Sequence, residues 1–364
     1  MSQSPIGTAK PDLDTPALCL DIEAVEANIK RMADLFRDGP VRLRPHAKTH
    51  KSPILAQMQL AAGAIGITCA KLGEAEVLAA AGIKDILIAN QITGAGKIAR
   101  LVNLAGYTAV MVAVDDATNV AELDTAAQAK GVRLRVLVEL NIGMERCGVL
   151  PGEPALALAQ RVAASPGLRL EGVMGYEGHT VFIQDPQERR EKTEASVELL
   201  VDTANLLRRH GIPVKIVSSG STGTHLITGR YPGVTEIQAG SYITMDSQYR
   251  DEVGIDFAYG LTVLASVTSV PAPDRAFIDA GLKTLTRDFG LPKVIDPPGW
   301  DLTGLSEEHG HLHRAGGAPL RTGDKVEIVP NHGCTTINLH DEYHVLRQGV
   351  LEAVWPIAAR GKVS

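Results

Sequence analysis

The chain has 364 residues, 45% hydrophobic and 21% charged, with a formal net charge of -6. That length suits two domains or one large barrel with an appendage, and a mild charge spread along the chain excludes a nucleic-acid or membrane-surface binder. No apolar run approaches the roughly 18 residues of a spanning helix, and the polar, Pro-bearing start "MSQSPIGTAKPDLDTP" has no apolar signal core, so the cytoplasm is the expected compartment.

In chain order, "DTPALCLD" (14–21) reads as a strand and "IEAVEANIKRMADLFRDG" as a helix. Eight β-rich runs follow: "VRLRPHAK" (41–48), "AIGITCAK" (64–71), "DILIAN" (85–90), "TAVMVAV" (108–114), "RLRVLVEL" (133–140), "LEGVMGYEG" (170–178), "VKIVSSG" (214–220) and "TEIQAGSY" (235–242). Helical stretches lie between most of them, at 52–62, 71–82, 94–105, 117–131, 153–165 and 191–211. Eight strands alternating with helices predict an α/β fold, a (β/α)8 TIM-type barrel over 22–250; a doubly wound open sheet is the alternative. Past residue 250 the alternation stops. "YGLTVLASVTSVPAPDRAFIDAG" and "DKVEIVPNHGCTTINLHDEYHVL" are strand-like with Pro and Gly breaks. They predict a β-rich domain made of 1–21 plus 251–364. The cysteines, Cys19, Cys69, Cys147 and Cys334, form no CxxC pair. The first three are expected as small core residues.

A barrel of this kind carries its chemistry at the C-terminal ends of its strands. Lys48 closes the first strand, Arg146 follows the fifth in "NIGMERCG", and Tyr176, Glu177 and His179 close the sixth. The seventh and eighth end in "SSGSTGT" and "QAGSY", where Gly220, Ser221, Thr222, Gly240, Ser241 and Tyr242 offer small or hydroxyl-bearing residues to an anion. A lysine on one side of a barrel mouth and a phosphate cradle on the other are the requirements of pyridoxal 5'-phosphate (PLP): the amine holds the cofactor covalently and the phosphate anchors it. In the β-rich half, His332 and Cys334 stand two apart. On a strand that spacing aims both at one face, and imidazole with thiolate suits zinc, with manganese or magnesium as alternatives. Two protein ligands leave positions for water or substrate, as catalytic sites do.

"RPHAKTHK", "GITCAKLGEAEVLAAAGIKDILIAN", "QAGSYITMD" and "PNHGCTTINLHDEY" together resemble the D-threonine aldolase and D-serine dehydratase family, fold-type III PLP enzymes with an alanine-racemase-like barrel. The resemblance spans nearly the whole chain. It implies a PLP barrel plus a β domain, a homodimer with the active site near the subunit interface, and a divalent metal beside the cofactor. It makes Lys48 the PLP lysine and places His46 and His50 within reach of cofactor or substrate. His332-x-Cys334 has the dehydratase form, "GSYITMD" and "NLHD" read more like the aldolases, and "GYEGHTV" matches neither subgroup well.

The implied substrate is a D-configured β-hydroxy-α-amino acid. The first expectation is retro-aldol cleavage to glycine and an aldehyde, and the alternative is dehydration, of the D-serine or D-3-hydroxyaspartate type, to a keto acid and ammonia. His46, His50 and His179 are the candidate bases, with Lys48 itself for proton removal at Cα. Arg146 binds the PLP 3-oxygen or a carboxylate, or else makes an ion pair; Tyr176 contacts the cofactor or packs at the rim. Remoter alternatives are a non-catalytic PLP-carrier barrel and a racemase, the latter using Tyr343 as its second acid/base.

Overall fold

The protein is described by a computed structural model covering residues 4–364. In chain order its elements begin with β1 (Ala17–Asp21), α1 (Ile22–Phe36), β2 (Arg42–Leu43), α2 (Pro53–Ala61), β3 (Ile67–Cys69), α3 (Leu72–Ala80), β4 (Asp85–Ile88) and α4 (Ala95–Ala105). They continue with β5 (Ala109–Val114), α5 (Ala117–Lys130), β6 (Leu134–Leu140), α6 (Glu153–Ala163), β7 (Leu168–Gly175), α7 (Pro186–Arg209), β8 (Ile216–Ser219), α8 (His225–Thr228) and β9 (Glu236–Ile237). The remainder is β10 (Leu261–Ala272), β11 (Arg275–Ile278), β12 (Lys293–Asp296), β13 (Trp300–Leu305), β14 (Gly310–Arg314), β15 (Lys325–Val329), α9 (Gly333–Ile337), β16 (Glu342–Arg347) and β17 (Val350–Pro356). Contacts divide the chain into two units. One takes the chain up to Arg31, Thr49–Ser52 and Ser241–Arg360; the other takes Met32–Lys48, Pro53–Gly240 and Gly361–Ser364.

The second unit is the barrel. Its eight parallel strands follow the order β2-β9-β8-β7-β6-β5-β4-β3, and the ring closes where His46 bridges Thr68 beyond the end of β2. The Ala47 amide donates to the Thr68 carbonyl at 2.7 Å, and the Thr68 amide to the Pro45 carbonyl at 2.8 Å. Pro45 supplies no amide, so regular β2 is only two residues long and Lys48 lies in a turn beyond it. The helices start and stop where capping chemistry dictates. Asp116 accepts from the Thr118 and Asn119 amides at the head of α5, and Gly131 ends that helix at φ 71°. Helix α7 begins at Pro186, earlier than its expected start at 191, because Asp185 caps the Glu188 amide and Pro186 fits the first turn.

Alternation along the strands sorts the interior. Leu87, Met111, Ala113, Leu137 and Met174 form one buried cluster. Burying each large side chain of such a layer is worth about 1.5–3 kcal/mol. Toward the strands' N-terminal ends a charge network replaces hydrocarbon. Arg44 Nε lies 3.1 Å from Glu236 and its Nη1 2.7 Å from Asp85, while Arg135 bridges Asp85 and Glu171. Gly66 is small for this reason: a Cβ there would meet Arg44 Nη1 at 2.2 Å.

The first unit carries a nine-stranded sheet ordered β13-β14-β11-β10-β1-β16-β17, with β15 on β10 and β12 on β15. The N-terminal strand belongs to this sheet: β1 runs antiparallel to β10 and parallel to β16. Leu13, Ala17, Cys19, Leu264, Leu346 and Leu351 pack beneath it. Cys19 and Cys69 are core thiols, and burial pushes Cys19 up to about 12. Cys147 is corrected: it is half-buried beside Arg146, not core.

Candidate functional site

The barrel mouth gathers one set of predicted residues. Lys48 is exposed in its turn, with Nζ 5.9 Å from the centre of the Tyr176 ring. The Arg146 guanidinium stands at the same distance from that ring, so one aromatic side chain carries two cations. His46 is buried, and its Nδ1 accepts from the Lys48 amide at 3.3 Å, which ties the turn to the strand end. Arg146 rides on a loop shaped by Asn141, whose side-chain oxygen accepts from the Gly143 and Glu145 amides. Gly148 lets that loop return at φ 103°; a Cβ there would lie 2.5 Å from Leu140 and Asn141 backbone atoms.

His179 belongs to a single 3-10 turn, Gly178–Thr180. Its Nε2 is 3.3 Å from Ser196 Oγ on α7. Ser196 gives its one proton to the Lys192 carbonyl at 3.0 Å. The ring therefore donates from Nε2, leaving Nδ1 as its basic atom. Gly143 packs against the same ring, and a Cβ there would meet His179 Cε1 at 2.6 Å and Nε2 at 2.8 Å.

Beyond the end of β8, Ser221 and Thr222 are buried. Gly220 turns the chain at φ 85°, and a Cβ on it would press Ile237 at 3.0 Å. The Gly220 amide is committed to Glu177 at 3.2 Å and the Ser221 amide to Thr224 Oγ1 at 3.0 Å. Glu177, which the sequence places at the end of the sixth strand without a role, is the buried carboxylate that organises this loop. Sequence reasoning missed Glu139, near the end of β6, which takes a 2.6 Å hydrogen bond from Gln91. Burial pushes Glu139 above the usual carboxylate range, with Gln91 and Arg146 opposing and Asp115 adding to the shift. Both carboxylates sit in runs read only as strand ends. The three hydroxyls, the Gly220 amide and the Gln91 carboxamide around them come from distant segments, which no local pattern announces.

The other predicted residues belong to the first unit. His332 and Cys334 are not on a strand: His332 caps α9 with extended backbone (φ -131°, ψ 114°), and Cys334 lies in its first turn. The strand argument for their convergence is therefore corrected. The helix turn brings them close enough for Cys334 to act on the His332 ring. Asp288 holds His332 Nδ1 at 2.5 Å and accepts from Thr335 Oγ1 at 2.9 Å, and the Phe289 ring lies 4.6 Å from the imidazole. Burial pulls His332 down, but Cys334 and Asp288 outweigh it and push it up to about 9. Asp246, also buried, accepts from the Tyr249 and Gly333 amides at 3.0 and 3.3 Å. Burial raises it to about 6.

Ser241 Oγ stands 3.9 Å from Cys334 Sγ, and Tyr242 packs against Phe257. Both thus have partners in this unit, while Gly240 stays with the barrel. His50 is fully buried: its Nδ1 accepts from the Ser52 amide and its carbonyl from Tyr343 at 2.6 Å. Tyr343 is itself buried and pushed well above its ordinary range, so its hydroxyl is a poor acid/base for a racemase.

The mouth fits PLP by its chemistry: an amine on a turn, a guanidinium and ring beside it, and a buried hydroxyl-rich loop. The His332/Cys334 pair fits a thiophilic divalent cation, since a carboxylate on one ring nitrogen orients the other toward a metal. Among the described residues, no group of three or more His, Cys, Asp or Glu side chains is arranged to hold a metal. The two protein donors therefore fit an open site and not a closed structural one.

An eight-stranded parallel barrel with a lysine turn after its first strand, followed by a β domain, is the alanine-racemase architecture. Residues 20–248 match the family described as "Alanine racemase, N-terminal domain", and residues 260–346 match a serine dehydratase domain. The chain is 40% identical over 353 residues to a D-threonine aldolase from Arthrobacter sp, covering 96% of this chain and 93% of that protein. It is 36% identical over 352 residues to a D-threo-3-hydroxyaspartate dehydratase from Delftia sp. (strain HT23), covering 89% and 92%. The crystal structure of a D-threonine aldolase from Filomicrobium marinum superposes with a TM-score of 0.97 at 39% identity, covering 100% of both chains. The chain belongs to the family that unites D-threonine aldolases with D-3-hydroxyaspartate and D-serine dehydratases.

Proposed function

We propose that the protein is a PLP- and divalent-metal-dependent lyase that cleaves D-configured β-hydroxy-α-amino acids to glycine and an aldehyde. The observation that carries this reading is the full-length likeness to D-threonine aldolases, with Lys48 and Arg146 both on the Tyr176 ring. When bound, PLP supplies an electron sink at Cα and the metal acidifies the substrate hydroxyl. Lys48 holds the cofactor through its amine. Arg146 grips an anionic oxygen of cofactor or substrate, and the loop at Gly220, Ser221 and Thr222, with Gly240, Ser241 and Tyr242, takes the phosphate. His332 and Cys334 hold the metal, zinc first by the softness of the thiolate. His179 takes the hydroxyl proton at Nδ1, the atom its bond to Ser196 leaves basic.

Cys334 favours a second reading, dehydration to a keto acid and ammonia, because His-x-Cys is the dehydratase form of the pair. A homodimer and a cytoplasmic location belong to the same proposal. For the described residues, no helix is long and apolar enough to cross a membrane. The test is product analysis with D-threonine and D-serine. Glycine with acetaldehyde from D-threonine supports the first reading, and 2-oxobutyrate or pyruvate with ammonia the second. No turnover of either sinks both.

A further inference from the structure

Glu177 lies in the segment "GYEGHTV" and has no part in the chemistry proposed above. It follows β7 and is fully buried. Its carboxylate accepts from Ser219 Oγ at 2.7 Å, the Gly220 amide at 3.2 Å, and Thr224 and Thr228 Oγ1 at 2.6 Å each. These donors lie at the end of β8 and at both ends of α8. An ionised carboxylate only accepts, so each of the three hydroxyl protons points at Glu177. Thr224 Oγ1 is then left to accept, and it does so from the Ser221 amide at 3.0 Å and from Ser221 Oγ at 3.1 Å. His225 Nδ1 closes the loop by donating to the Thr222 carbonyl at 2.7 Å. Loop 219–225 is thus one directed chain of hydrogen bonds anchored on a single buried charge. A bare carboxylate beside an anion site repels the anion, whereas four donors spread over one carboxylate absorb its charge.

We propose that Glu177 is a positioning residue for the cofactor phosphate: it fixes the conformation of the loop that receives the phosphate without touching it. The proposal rests on the PLP reading above. Glu177→Gln keeps the shape but turns an NH2 group toward donors, so the bond chain breaks. The test measures dissociation constants of the apoprotein for PLP and for pyridoxal, by absorbance and fluorescence, with melting curves to verify the fold. Glu177→Gln is expected to weaken PLP by about tenfold or more while changing pyridoxal by less than about twofold. If that variant does not fold, Thr228→Val and Thr228→Ser decide. The first should weaken PLP about threefold, and the second, which keeps the hydroxyl, should restore the wild-type value. Equal losses for PLP and pyridoxal, or unchanged PLP affinity in the folded variants, overturn the proposal and leave the PLP reading standing. Wild-type protein that binds no PLP overturns both.

Discussion

The Cys334 thiol donates to the Thr49 hydroxyl at 3.2 Å, and Thr49 is the residue that follows Lys48 in the chain. One side chain of the proposed metal pair is therefore hydrogen-bonded to the neighbour of the proposed cofactor lysine. A chelator should abolish turnover of β-hydroxy-D-amino acids while the yellow PLP band and the circular dichroism spectrum persist. Cys334→Asp should move metal preference toward magnesium or manganese, because an oxygen ligand is harder. Turnover in a sample verified metal-free, or unfolding on chelation, would contradict the catalytic-metal assignment.

Lys48→Ala should yield protein without a borohydride-trappable PLP adduct. Mass spectrometry of the reduced wild-type protein should place the adduct on the peptide containing Lys48. An adduct surviving in the variant means another lysine carries the cofactor.

Asp288→Asn removes the charge that holds His332 at 2.5 Å. Loss of such an outer carboxylate typically costs about 10–100-fold in metal affinity. Competition against a chromophoric chelator reads this directly. An unchanged zinc affinity would assign Asp288 to loop structure alone.

Gly143→Ala tests His179 without replacing it. The new Cβ would lie 2.6 Å from the imidazole at a backbone φ of 116°, a strain of roughly 1–3 kcal/mol. The turnover number should fall while PLP affinity holds. Unchanged turnover in a folded variant argues against His179 as the proton acceptor.

Glu236→Ala leaves the buried Arg44 without the more deeply buried of its two carboxylate partners. Breaking such a pair costs about 3–5 kcal/mol, read as a lower urea midpoint at unchanged slope. Specific activity per folded molecule should not change, because this network lies at the opposite strand ends from Lys48. A stability within 1 kcal/mol of wild type, on the order of the exposed-pair range, would mean Arg44 finds sufficient support in Asp85.

The alternation of strands and helices announced the barrel because each element is set by local period and caps: Asp116, Gly131 and Asp185 mark their helices in the sequence itself. Lys48 and Arg146 were also legible, since position relative to a strand end is a local property. Glu177 was legible as a polar residue at a strand end but its role was not, because its partners Ser219, Thr224 and Thr228 lie more than 40 residues away. The His332/Cys334 pair was found with the wrong backbone: apolar runs on both sides suggested continuous strand, but the chain turns at Gly333 into one short helix. Asp288 stayed hidden because a loop aspartate carries no sign of the histidine it will meet.

Barrel closure has a consequence for how the chain is made. Strand β2, just before Lys48, pairs with β9 (Arg42 opposite Glu236), so its partner emerges from the ribosome roughly 190 residues later. At about 5–20 residues per second that is a wait of roughly 10–40 s. Through it, β2 has no neighbour on that side, and a contact of this span forms slowly even when both strands are present. The nascent chain therefore presents an open strand edge just where the lysine is carried. The same pairing that completes the cofactor mouth also removes that edge from aggregation and from chaperones.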